Sequence, residues 1–311
     1  MGKIEASRHN WWKIVGTRAR HRIASVPKSG GAAVLSQFTG ALTRALLVMV
    51  VIATPSILLP GVGSDGKQMV ALVALFCGAL TFVEYSATYP GLIEFRDAPP
   101  FNRTRYLMLL VMVFILSVMA RGPEVQSSLT ILINAVGYLI GSALDFPYSP
   151  VRLATLMLPD NTSNIQILTV RDTAAMAYLI SILSLIVFAL ILRIRQWPTA
   201  NGAFNVWVNL PTFDPTAGGD VIERLERDAR VNLALGFLLP FLIPAIVKFG
   251  GMGLGALRLD APQTLVWVIS AWAFLPASLI MRGIAMGKIA GMIRLKRREG
   301  VESASPGYFA A

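Results

Sequence analysis

Glu84 is the acidic residue set deepest in apolar sequence. It stands near the end of a run that begins around Met69, and Tyr85, Tyr89 and a loop of mixed charge follow it. An ionisable group inside a membrane-spanning segment is a functional hypothesis by default. Burial would raise its pKa and suit it to carrying a proton. The competing reading is anchoring. Glu84 lies about one turn from the end of its run, where charged side chains reach interfacial water. It could also pair with Arg96 or Arg105, or bond Tyr85 or Tyr89. Anchoring is the favoured reading.

The stretch 84–105 offers two further roles. Pro90-Gly91 marks a helix end and Pro99-Pro100 stiffens the approach to the next helix. Glu94, Arg96, Asp97, Arg103 and Arg105 can pair locally and clasp two spans together. The same residues, with Tyr89, Phe95 and Phe101, have the mixed aromatic and charged character of a docking surface. Phe204, Trp207 and Phe213, in a later loop, add to an apolar cluster expected to be exposed.

Other chemistries lack their residues. The two histidines, His9 and His21, lie in the N-terminal segment, so a Ser–His intramembrane protease and a bis-histidine haem are excluded. No H-E-x-x-H, P-loop or G-x-S-x-G motif is present. The acids are scattered rather than clustered for a metal. The single cysteine, Cys77, allows no intrachain disulfide. Neither cofactor nor metal is expected, and the chain is read as non-catalytic.

The elements that would position these groups are membrane helices. The chain has 311 residues, 55% hydrophobic and 14% charged. A soluble domain carries about 25% charged residues. The expected architecture is an all-α polytopic membrane protein. Spans are expected at about 45–64, 69–87, 106–120, 173–192, 231–247 and 261–281, between a basic tail (1–44) and a second one (282–311). The third span is short, so Arg105 and Arg121 at its ends should snorkel. Pro55, Pro240, Pro244 and Pro276 fall within spans and are expected to kink them. Nothing like a secretory signal with a nearby cleavage site opens the chain.

Residues 125–144 are uncharged and long enough to cross, with Gly137 and Gly141 at the spacing that lets helices approach closely. Charge decides against crossing. With seven spans, Lys and Arg divide about 15 to 13 between the two sides. With six they divide about 22 to 6, as the positive-inside rule demands. Residues 121–172 then form an external excursion, seven spans being the alternative. Both termini, the 84–105 loop and the 193–230 loop become cytoplasmic, in an inner membrane of bacterial type. In the second loop, Asp220–Arg224, Glu223–Arg227 and Glu226–Arg230 have i,i+4 spacing, which predicts a helix from about Val221 running into the next span.

The net charge of +11 is accounted for by orientation and by anionic lipid at the basic tails, without nucleic acid. The expected partners are the bilayer and other membrane proteins. The expected function is scaffolding, assembling or regulating a membrane complex through the cytoplasmic face, with Glu84 as the deepest anchor of that face. A small-solute transporter or channel with Pro-kinked helices is the alternative, and a membrane enzyme is third.

Overall fold

A computed structural model describes residues 30–89, 91–121, 125–198, 209–214, 218–254 and 259–304. All regular structure among them is helical: α1 (Gly30–Leu58), α2 (Ser64–Ser86), α3 (Phe101–Arg121), α4 (Ser128–Leu144), α5 (Pro150–Ala154), α6 (Asn164–Ile194), α7 (Val221–Leu254) and α8 (Pro262–Ala304). A 3₁₀ turn, Thr155–Met157, follows α5. Short polar side chains start several helices. Ser127, Ser149 and Ser163 accept the amides of Thr130, Arg152 and Gln166, each satisfying an amide that the first turn leaves unpaired.

Among the described residues six helices, α1, α2, α3, α6, α7 and α8, are long and apolar enough to cross a membrane. The chain is an all-α polytopic integral membrane protein. The apolar stretches read from sequence are extended by helix on several sides. The third span is 21 residues rather than fifteen, because Phe101–Arg105 and Arg121 belong to it. The helix containing the first span begins at Gly30, inside the expected tail, and α8 continues to Ala304.

α4, at 17 residues, is shorter than the six. Its surroundings settle its role. Phe101 at the start of α3 packs edge-on against Phe188 near the end of α6, centroids 5.8 Å apart. At the other end, a Cβ on Gly137 of α4 would lie 2.6 Å from Met119 Cε and 3.7 Å from the Asp172 carbonyl. α3 and α6 are therefore antiparallel, and the chain leaves α3 and enters α6 at the same end of the bundle. The segment between them makes no net crossing, and α4 is its one long apolar helix. Gly141 carries the same close approach onward, against Arg171 and Asp172.

α7 and α8 form the tightest pair. Cβ atoms on Gly236 and Gly283 would collide with Pro276 O and Ala229 O at 2.7 and 2.8 Å. Small residues permit this approach, as is usual between membrane helices. All four candidate kink prolines lie inside helices, Pro55 in α1, Pro240 and Pro244 in α7, Pro276 in α8. Pro244 has no N–H to offer the Pro240 carbonyl four residues earlier. The indole Nε1–H of buried Trp272, from α8, donates to that carbonyl at 3.0 Å. A neighbouring helix thus supplies the bond the proline removes, which hydrocarbon could not.

Candidate functional site: a polar clasp at one end of the bundle

The end of α2, the 91–100 loop, the start of α3, residues 209–214 and the middle of α8 meet at one end of the bundle. Glu84 lies at its rim. Its carboxylate accepts the amides of Gly91, Leu92 and Ile93 at 3.0–3.3 Å. The partners are backbone groups, not the arginines or tyrosines expected from sequence. Arg96 works on the other terminus of the same problem. Its Nη1 donates to the carbonyls of Glu84 and Ala87 at 2.9 and 2.6 Å, closing the end of α2, and its Nε lies 3.4 Å from Asp97. Carbonyls orphaned at a helix C-terminus attract such a cation.

Glu94 is the hub. Arg282 of α8 donates to it through Nε (2.5 Å) and Nη2 (2.8 Å), and the Thr212 hydroxyl donates at 2.6 Å. Burial opposes the charge on Glu94. The hydrogen bonds from Arg282 and Thr212 and the charges of Arg282 and Arg105 outweigh it, holding the carboxyl below its ordinary range. Glu94 also presents its backbone carbonyl to Asn102 Nδ2 at 2.8 Å. Asn209 bridges the two loops: its carbonyl accepts the Phe95 amide at 2.6 Å and its Oδ1 accepts the Asp97 amide at 3.0 Å.

The aromatic residues of the loop are core, which corrects the expectation of an exposed surface. Phe95 and Phe101 are each 1% exposed, with centroids 4.2 Å apart. Phe213 and Leu210 are also buried. Phe95 adopts φ +54°, a left-handed conformation that costs a bulky residue roughly 1–2 kcal/mol. The hydrogen bond from its N–H to the Asn209 carbonyl and its packing against Phe101 and Trp197 hold it there. Tyr89 and Leu92 are the large side chains that do face outward, at 81% and 70%. Arg103 and Asp97 are exposed as well. Phe204 and Trp207 lie outside the described residues.

Arg105 does not snorkel. It turns inward, with Nε donating to Ser278 Oγ at 3.2 Å and the guanidinium near the rings of Phe101 and Phe274. The ion pairs of α7 also differ from expectation. Asp220 pairs with Arg297 at 2.8 Å and Glu226 with Arg294, so these acids tie α7 to the extension of α8. The Ile222 amide and Arg297 hold the Asp220 carboxyl below its ordinary range. Sequence spacing within one helix could not show this, because the partner helix lies about 70 residues away.

At the opposite end, Arg171 lies 2.8 Å from Asp172 and 3.6 Å from Asp145, and Arg152 lies 3.8 Å from Asp145. Lys248 reaches Asp160 at 2.6 Å. These pairs join the 121–163 excursion to α6 and α7. Among the described residues no group of three His, Cys, Asp or Glu is placed to hold a metal. Compared with known protein families, curated proteins and solved structures, the chain matches none.

Proposed function

We propose that this protein is a non-catalytic component of a membrane complex, working through the face that carries the clasp. That face is cytoplasmic by the positive-inside rule, in a bacterial inner membrane with both termini inside. One observation carries the reading. α8 is 43 residues long, about 65 Å, whereas a hydrocarbon core is about 30 Å thick. Its extension past the clasp is paired with α7 by Asp220–Arg297 and Glu226–Arg294. The result is a stiff two-helix arm with exposed Arg227, Arg230, Lys296 and Arg298. A rigid, basic arm at the same end of the bundle as exposed Tyr89 and Leu92 suits contact with another membrane protein and with anionic lipid.

The clasp itself supports the same reading. Glu84, Glu94 and Arg96 have their bonding capacity taken by partners within the chain, the arrangement of a fastener. Purification in gentle detergent, with identification of co-migrating proteins, tests the proposal. A stoichiometric membrane partner is expected. A clean monomer that moves solute into liposomes would overturn it.

The transport reading has one specific support. A cavity of about 80 Å³ lies between α6, α7 and α8, lined by Tyr178, Ser181, Gly236, Pro240, Trp272 and Pro276 among others. Proline-interrupted helices line the sites of many transporters. The walls are mainly apolar, so an apolar solute would fit them better than an ion.

A further inference from the structure

Three prolines leave three helix carbonyls without the amide that would bond them from four residues on. Pro244 frees the carbonyl of Pro240, Pro240 that of Gly236, and Pro276 that of Trp272. The Trp272 indole takes the first. Among the described residues no side chain donates to the other two. The Ser181 hydroxyl, from α6, donates to the Ala177 and Ala273 carbonyls instead, at 3.0 and 3.2 Å. A buried carbonyl without a donor costs free energy, and hydrocarbon offers none.

Gly236 and Trp272 both line the cavity between α6, α7 and α8. Gly236 has no side chain, so what it contributes to the wall is backbone. The Asp220–Arg297 and Trp272–Pro240 contacts make α7 and α8 antiparallel. Helix carbonyls point toward the C-terminus. Those of Gly236 and Trp272 therefore point along their two helices toward each other's level. The Pro276 carbonyl, one turn after that of Trp272, would lie 2.7 Å from a Cβ on Gly236. The face of α8 that carries both carbonyls is thus turned to Gly236. The cavity is open to the side of the bundle, because Ile182 and Phe237 on its wall are 39% and 67% exposed. No charged residue lines it.

We infer that this cavity binds a neutral, membrane-dissolved molecule carrying a hydroxyl on an alkyl chain. The hydroxyl donates to one of the two freed carbonyls, and the chain leaves past Ile182 and Phe237. A volume of about 80 Å³ admits the polar end of such a molecule, with the rest lying along the helices. An ion finds no carboxylate here to offset its lost hydration. An alkane would leave both carbonyls unbonded. A long-chain alcohol meets the apolar wall and the acceptor together. The transport reading draws on the same cavity, but the inference concerns binding alone. It is read without solute flux and without a partner at the clasp.

The test uses the full-length protein, labelled with fluorotryptophan and held in lipid nanodiscs. The Trp272 fluorine resonance, assigned by its loss in Trp272→Phe, is followed during titration with hexanol and with chlorohexane, which has the same chain and no donor. In wild type the Trp272 line should shift saturably with hexanol, and chlorohexane should bind about fivefold more weakly, the worth of one net hydrogen bond. Trp267, on the same helix but off the cavity wall, should not follow it. Pro240→Ala combined with Pro276→Ala restores both amides, and should abolish the preference for hexanol while chlorohexane still shifts the line. Pro55→Ala, in α1, should leave the preference intact. Equal affinity for the two probes in wild type would reduce the site to an apolar void and overturn the inference. So would a Trp272 line that moves only in step with Trp267, or one that does not move and leaves the cavity to water. A preference for hexanol that survives in the double proline variant would overturn it as well.

Discussion

Arg282 and Glu94, 188 residues apart in sequence, are joined by two parallel hydrogen bonds of 2.5 and 2.8 Å. The fork of a guanidinium matches the two oxygens of a carboxylate, which makes this the strong form of the contact. Their side chains are 26% and 14% exposed, so each has given up most of its hydration. Removing one leaves the other charged and poorly solvated. Glu94→Gln and Arg282→Gln should each destabilise the protein by about 2–3 kcal/mol, a value for breaking a buried pair reduced for partial exposure. Thermal unfolding in detergent measures it. A loss no larger than that of Arg298→Gln would show that the pair contributes little.

Acid should weaken the same contact. The Glu94 carboxyl in the folded protein lies below its ordinary value of 4.5. A group whose folded pKa is depressed contributes its full stability above the unfolded value and loses it as pH falls through the folded one. Thermal midpoints should therefore fall more between pH 5 and pH 3 in wild type than in Glu94→Gln. Parallel curves would mean that Glu94 does not titrate with folding.

The Trp272–Pro240 bond permits a double-mutant test. Trp272→Phe removes the donor to a carbonyl that Pro244 leaves free, at a cost of about 1 kcal/mol beyond any packing change. Pro244→Ala restores a backbone N–H at position 244, which can take that carbonyl instead. The cost of Trp272→Phe should shrink by about 1 kcal/mol in the Pro244→Ala background. Additive effects would show that the indole bond is not a replacement for the missing amide.

Sidedness is open to labelling. In a Cys77→Ala background, single cysteines at exposed Arg103 and Arg152 should label from opposite sides of the membrane. The antiparallel relation of α3 and α6 requires this. Labelling of both from the same side would place a second crossing, beyond α3, between them and restore the seventh span.

The spans were legible because hydrocarbon demands long apolar runs, and the six that cross were among the seven such runs in the chain. The excursion at 121–172 was legible from charge, since only a non-crossing α4 puts the arginines of the loops on one side. Gly137 and Gly141 could be recognised by spacing. Their partners could not, because Met119 and Asp172 come from two other helices. The clasp was half readable. Its residues were found as a group, but whether a Phe in a charged loop faces water or core depends on what covers it. Asn209 and Thr212, which bridge to Asp97 and Glu94, gave no signal at all. Nothing in a polar residue of a distant loop announces that it will meet a glutamate more than a hundred positions earlier. The same gap explains the α7 acids, whose i,i+4 arginines were plausible local partners until α8 proved to run alongside.

The proposed role stands or falls on whether the clasp face touches another protein in the membrane. Site-specific photo-crosslinking from Tyr89 and Arg298, with Tyr148 at the opposite end as the reference, tests it in intact cells. All three positions are exposed. The predicted result is one adduct with the same heterologous membrane protein from Tyr89 and Arg298, and none from Tyr148. Adducts from Tyr148 alone, or none from Tyr89 and Arg298 at normal expression, would contradict it.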